Sequence, residues 1–153
     1  MIDQLVIATD GSESGERAVS VALDLACRFD ATIYSLSVVD TTRKNEGNAT
    51  TQEDWGDESI ETRRRRAQEA VEAVADRTDR EVRTSVREGA PAAVVRAYAE
   101  EHAADLVATG TRGRHGAHRF LLGSVAEAVV RTCPVPVLTV RQLANAADSD
   151  AEA

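Results

Sequence analysis

Two spacings of apolar residues alternate along this chain. Continuous apolar runs rich in β-branched residues cover 2–9, 32–39, 82–86, 105–109 and 135–140, as expected of strands buried on both faces. Between the runs the spacing lengthens to that of a helix: Ala18, Ala22, Leu25, Ala26 and Phe29 share one face, and so do Ala67, Ala70, Val71, Val74 and Ala75. Shorter helices are predicted over 91–102, where Pro91 takes a favoured first-turn place, and over 124–132. Strands alternating with helices imply βαβ crossovers, so the fold class is α/β, with a parallel sheet covered on both sides.

The 153 residues suffice for one domain. Residues 40–54 are its one long polar stretch and read as a surface loop, or a lid, before the second helix. Residues 142–153 are acidic and are expected to form a flexible tail, which leaves 1–141 as the expected domain. Acidic residues outnumber basic ones 26 to 18, an unsuitable balance for neutralising nucleic-acid phosphates. No run approaches the roughly 20 apolar residues of a membrane helix. The start Met1-Ile2-Asp3-Gln4 lacks the basic-then-apolar layout of an export signal, so the expected location is cytoplasmic, without a membrane partner.

The basic residues are Lys44 and seventeen arginines. With the acidic surface this fits a halophilic source, and genomic composition bias accounts for it equally well. Cys27 and Cys133 lie in apolar surroundings and are expected as buried thiols. Residues 63–66 are consecutive arginines and read as a solvated helix face, with Glu61–Arg65 and Arg65–Glu69 as i,i+4 pairs.

The chemistry concentrates after the fourth strand. Gly110, Gly113, Gly123 and Ser124 follow the pattern Gly-x2-Gly-x9-Gly-Ser, and between Leu106 and Ala126 there are three arginines and no carboxylate. Gly113 permits close backbone approach, and the 124–132 helix offers free amides and a dipole at its start, so both ends of the loop can aim donors at a phosphate. Ser124 and Glu127 also form a capping box, which needs no ligand. Arg112, Arg114 and Arg119 are further phosphate donors or ordinary exposed arginines. His115 and His118 have no suitable third ligand nearby in sequence, so no metal site is expected.

In an open parallel sheet, ligands bind at the carboxyl ends of strands where the winding direction reverses. The residues placed there are Asp10, Val38 or Val39, and Gly110. Asp10 either accepts bonds from ribose hydroxyls or caps the first helix. The chain has no Gly-Lys-Ser/Thr, no Gly-x-Gly-x-x-Gly after the first strand and no Gly-x-Ser-x-Gly. The phosphate loop also lacks the base and metal-holding carboxylates that rapid phosphoryl transfer requires.

The opening Val-Ile-Ala-Thr-Asp-Gly-Ser, the Val38-Val39-Asp40 strand end, the Gly110 to Ser124 motif and the closing Cys-Pro-Val-Pro-Val-Leu-Thr-Val together resemble the universal stress protein family, in its ATP-binding branch. The match spans about residues 1–141. The resemblance implies a single-domain Rossmann-like sandwich of the adenine nucleotide alpha hydrolase type. It implies a five-stranded sheet in the order 3-2-1-4-5, ATP between the ends of strands one and four, and a homodimer joined along strand five. On that picture Ala8, Thr9, Asp10 and Val38 line the adenosine end. Gly110, Gly113, Gly123, Ser124 and Val125 hold ribose and phosphates, with Arg112 and Arg114 in the same loop.

The expected function is a nucleotide-dependent stress-response or regulatory module that binds ATP or another adenine nucleotide, with or without Mg2+, and turns it over slowly at most. The alternatives are an adenylyl-transferring or ATP-hydrolysing enzyme on the same fold, and a non-nucleotide scaffold of the family.

Overall fold

Leu5, Val6 and Ile7 are fully buried in succession, which a strand achieves only when both faces of its sheet are covered. In the computed structural model, which describes residues 1–42, 59–111 and 122–142, successive side chains of this strand enter two separate cores. Leu5 and Ile7 join Val19, Ala22, Ala26, Ile33, Val74 and Ala108 on one face. Val6 joins Tyr34, Leu36, Val95, Tyr98, Val107 and Val129 on the other.

The elements alternate as the apolar spacing requires. Strand β1 is Gln4–Ala8, followed by a 3-10 turn at Glu13–Gly15 and helix α1 at Glu16–Phe29. Strand β2 (Thr32–Asp40), helix α2 (Ile60–Asp76), strand β3 (Val82–Gly89) and helix α3 (Pro91–Glu101) come next. Strand β4 (Leu106–Gly110), helix α4 (Ser124–Thr132) and strand β5 (Val137–Val140) complete the domain. All neighbouring strands pair in parallel, in the order β3-β2-β1-β4-β5. Helices α1 and α2 supply Val19, Ala22, Ala26 and Val74 to the first core, while α3 and α4 supply Val95, Tyr98 and Val129 to the second. Among the described residues no helix is long and apolar enough to cross a membrane.

Local chemistry sets the element ends. Ser59 caps α2 by accepting from the Thr62 N–H at 3.2 Å, Pro91 opens α3, and Asp30 ends α1 in the left-handed conformation at φ 54°. The Asp105 carboxylate accepts from the Asp3 and Gln4 amides at 2.8 and 2.9 Å, which ties the start of β1 to the start of β4. Strand β5 begins at Val137 rather than at Val135, because Pro134 and Pro136 have no N–H to donate to a ladder. The Pro136 carbonyl still accepts from Val107 N at 3.0 Å and leads the strand in.

Three side chains depart from expectation. Cys27 is exposed, since it lies one step past the stripe of Ala18, Val19, Ala22 and Ala26 that faces the sheet, whereas Cys133 is half-buried against the second core. Phe29, at the end of α1, is 41% exposed instead of closing that stripe. In α2, Arg64 reaches across to Glu88 on β3 with bonds of 3.2 and 2.9 Å, so the arginine run meets a neighbouring strand as well as solvent. The polar stretch read as a surface loop lies mostly outside the described residues, and the acidic tail almost wholly so.

Candidate functional site at the sheet's switch point

From β1 the chain winds outward through β2 and β3, and then returns to β1's other side with β4 and β5. The reversal therefore falls between β1 and β4, whose last paired residues are Ala8 and Thr109. A crevice opens at such a place because the two connections leave in opposite directions.

On the β1 side, Thr9 N still donates to Leu36 O at 2.9 Å, and the chain then turns sharply. Gly11 takes φ +78°, a conformation that side chains resist, and a Cβ there would stand 3.0 Å from that of Ala70 on α2. The Gly11 amide donates to Thr9 Oγ1 at 3.1 Å. Asp10 Oδ1 accepts from both the amide and the hydroxyl of Ser12, at 2.9 and 2.5 Å. Asp10 therefore closes an Asx turn and does not cap α1, whose N-cap is Gly15. The same device recurs at the end of β2, where Asp40 Oδ1 accepts from the Thr42 amide at 2.9 Å and its hydroxyl at 2.6 Å. Arg63 of α2 donates to the Asp40 carbonyl and steadies that strand end.

Ala8 and Val38 lie on one face, partly buried against the second core, while Val39 is buried on the opposite face. Of the two valines considered for the site, Val38 is therefore the one that shares Ala8's side of the sheet.

On the β4 side, Gly110 is buried at the strand end. A Cβ on it would come within 3.1 Å of both the Ser14 carbonyl oxygen and Gly15 Cα, so the absent side chain lets β4 abut the turn after β1. The loop that follows returns close to its origin, for Gly123 N donates to Thr111 O at 2.6 Å. That bond holds Gly123 extended (φ −62°, ψ 156°) as the N-cap of α4 and makes Ser124 the first helical residue. The capping box expected of Ser124 and Glu127 does not form: no side chain caps α4, and the Glu127 amide donates to Gly123 O at 2.8 Å. The first-turn amides of a helix have no intrahelical partner, so α4 presents donors and the positive end of its dipole beside the strand end. Ser124 and Val125 are exposed there.

The structure thus brings Ala8, Thr9, Asp10, Val38, Gly110, Gly123, Ser124 and Val125 to the carboxyl edge of the sheet. Arg112, Gly113 and Arg114 lie outside the described residues, as do His115, His118 and Arg119. Ser12 and Ser14 were not singled out by sequence reasoning. The Asp-Gly-Ser turn signature pointed to Ser12, whereas Ser14 is marked only by its packing against Gly110.

A carboxylate that accepts hydrogen bonds at the end of β1, and a helix N-terminus after the end of β4, suit a ligand with both hydroxyl and anionic groups. The protein is thus a doubly wound α/β domain whose winding reverses between β1 and β4. The universal stress protein family model matches residues 1–141, and the chain belongs to that family. It is 34% identical to universal stress protein MJ0531 of Methanocaldococcus jannaschii over 139 residues, which covers 91% of this chain and 82% of that protein. Among solved structures, hypothetical protein MJ0577 superposes with a TM-score of 0.73 at 22% identity, covering 95% of this chain and 99% of its own. A universal stress protein in complex with cAMP superposes with a TM-score of 0.63 at 26% identity, covering 93% and 99%.

Proposed function

We propose that this protein binds ATP or another adenine nucleotide at the switch point and acts as a nucleotide-dependent stress-response or regulatory module. The observation that supports the reading is that the Asp10 turn follows β1 and the N-terminus of α4 follows β4 at the β1–β4 reversal, where Gly110 packs on Ser14 and Gly15. Ala8 and Val38 form the apolar floor for the base, Asp10 accepts the ribose hydroxyls, and Gly110, Gly113, Gly123, Ser124 and Val125 surround the phosphates. Arg112 and Arg114 add charge to that end. The family relative in complex with cAMP supports an adenine nucleotide as the ligand class.

The site holds phosphates in place and transfers them slowly at most. Mg2+ belongs to this reading only as a companion of the nucleotide's phosphates. The working form is a homodimer joined along β5, which pairs with β4 on one side and offers Val137, Leu138 and Val140 as an edge in need of cover. The decisive experiment is calorimetric titration with ATP, AMP and cAMP. Saturable binding near one nucleotide per chain supports the reading, and an absence of heat with all three refutes it.

A further inference from the structure

We propose that Thr109 is a ligand-contacting residue whose hydroxyl donates to the phosphate group nearest the sugar. The inference rests on the nucleotide-binding reading above and deepens it.

Parallel register sets Leu36, Ala8, Thr109 and Thr139 in one row across β2, β1, β4 and β5. Side chains paired in this way share a face of the sheet, and alternation along β4 puts Thr109 on the face of Val107, which enters the second core. Ala8 and Val38 are partly buried on that same face. The row therefore changes from apolar to hydroxyl-bearing between β1 and β4, where the winding reverses.

An O–H donor bonds its acceptor at about 2.5–3.0 Å when the geometry is good. Thr109 is half-buried, and among the described residues its one side-chain hydrogen bond goes to the carbonyl of the next residue, Gly110, at 3.4 Å. So long a contact is weak, and the proton can turn from it to a better acceptor at little cost. The surroundings say which acceptor. Gly123 N donates to Thr111 O, so the start of α4 is held two residues beyond Thr109. Asp10 lies two residues beyond Ala8, the partner of Thr109 on β1. With the ribose at Asp10 and the phosphates at α4, Thr109 stands at the join between them, which in ATP is the α-phosphate. A charged phosphate oxygen is a stronger acceptor than a backbone carbonyl.

Thr139 serves as the internal control. It occupies the same row one strand farther from the reversal, so a general effect of replacing a threonine hydroxyl on this face would appear there too.

The test titrates wild type, Thr109→Val, Thr109→Ser and Thr139→Val with ATP and with the two ATPαS diastereomers, after melting curves have established that each variant is folded. In each diastereomer one α-phosphate oxygen is replaced by sulfur, a poorer acceptor. Wild type should bind the two diastereomers unequally. A hydrogen bond to a charged group accounts for about tenfold in affinity, so Thr109→Val should bind ATP about tenfold more weakly and lose most of the preference between diastereomers. Thr109→Ser and Thr139→Val should retain both properties. Thr109→Ala, which also lacks the hydroxyl, covers the case in which Thr109→Val does not fold. Unchanged ATP affinity without the Thr109 hydroxyl, or a loss of affinity with the preference between diastereomers intact, would overturn the contact while leaving nucleotide binding in place. Failure of wild type to bind ATP would instead remove the nucleotide reading, and the contact with it.

Discussion

Gly110 packs against the backbone of Ser14 and Gly15, so that a methyl group at the end of β4 would stand only 3.1 Å from the turn that follows β1. The neighbours at 3.1 Å are backbone atoms, which cannot swing aside as a flexible side chain would. Gly110→Ala should therefore destabilise the fold by about 1–3 kcal/mol and weaken nucleotide binding as the turn is displaced. Gly15→Ala, with nothing within 4 Å of the added carbon, should change stability by no more than about 0.5 kcal/mol. Denaturant melts of the two variants check the contrast, and equal losses would contradict it.

Asp105 gives the fold an acid-sensitive joint. The Asp3 and Gln4 amides bond its carboxylate and hold its pKa below the ordinary aspartate value. A carboxylate with a depressed folded-state pKa stabilises the protein fully above the unfolded-state value, near 3.9, and loses that contribution as pH falls through the folded-state value. Asp105→Ala should accordingly lower Tm at pH 7, and its deficit relative to wild type should shrink as the pH is lowered through 4 and below. A deficit that is constant with pH would show that the hydrogen-bonded carboxylate is not the source.

Tyr98 separates ring packing from hydroxyl bonding in the second core. Its ring is 1% exposed and meets Tyr34 edge-on at 6.1 Å, while its hydroxyl lies 3.0 Å from Ser85 Oγ. Tyr98→Phe should cost about 1 kcal/mol, and Tyr98→Ala about 3–5 kcal/mol, in equilibrium unfolding. Similar losses in the two would mean that the hydroxyl, not the ring, dominates.

The edge of β5 predicts the assembly state. Sedimentation equilibrium at micromolar concentration should return twice the chain mass. A monomer under those conditions would remove the proposed dimer without touching the nucleotide site.

Much of this architecture is legible in the chain, because buried parallel strands and one-sided helices leave different apolar spacings. The run 2–9 marks β1, and Ala67, Ala70, Val71 and Val74 mark the buried face of α2. Asp10 and Gly110 could be assigned to the ligand edge because each ends an apolar run, and the strand order followed from family resemblance rather than from spacing. What stayed hidden depends on contacts between distant segments. The approach of Ser14 to Gly110 spans nearly a hundred residues, and local sequence carries no trace of it. The helix over 124–132 is legible, but Ser124 reads as a cap by its spacing to Glu127, whereas Gly123, bonded to Thr111 O, is the N-cap and no side chain caps the helix. Arg64 finds Glu88 because α2 packs across β3, a partner that helical i,i+4 spacing does not reveal.

The central claim is that the loop between Gly110 and Ser124 holds the phosphates of a nucleotide whose ribose meets Asp10. Calorimetric titration of ATP into wild type and into Gly113→Val tests it most directly, since a branched side chain at Gly113 obstructs close backbone approach to phosphate. Saturable binding by wild type and a loss of about tenfold or more in the variant are the expected results. Equal affinity in the two proteins would contradict the account.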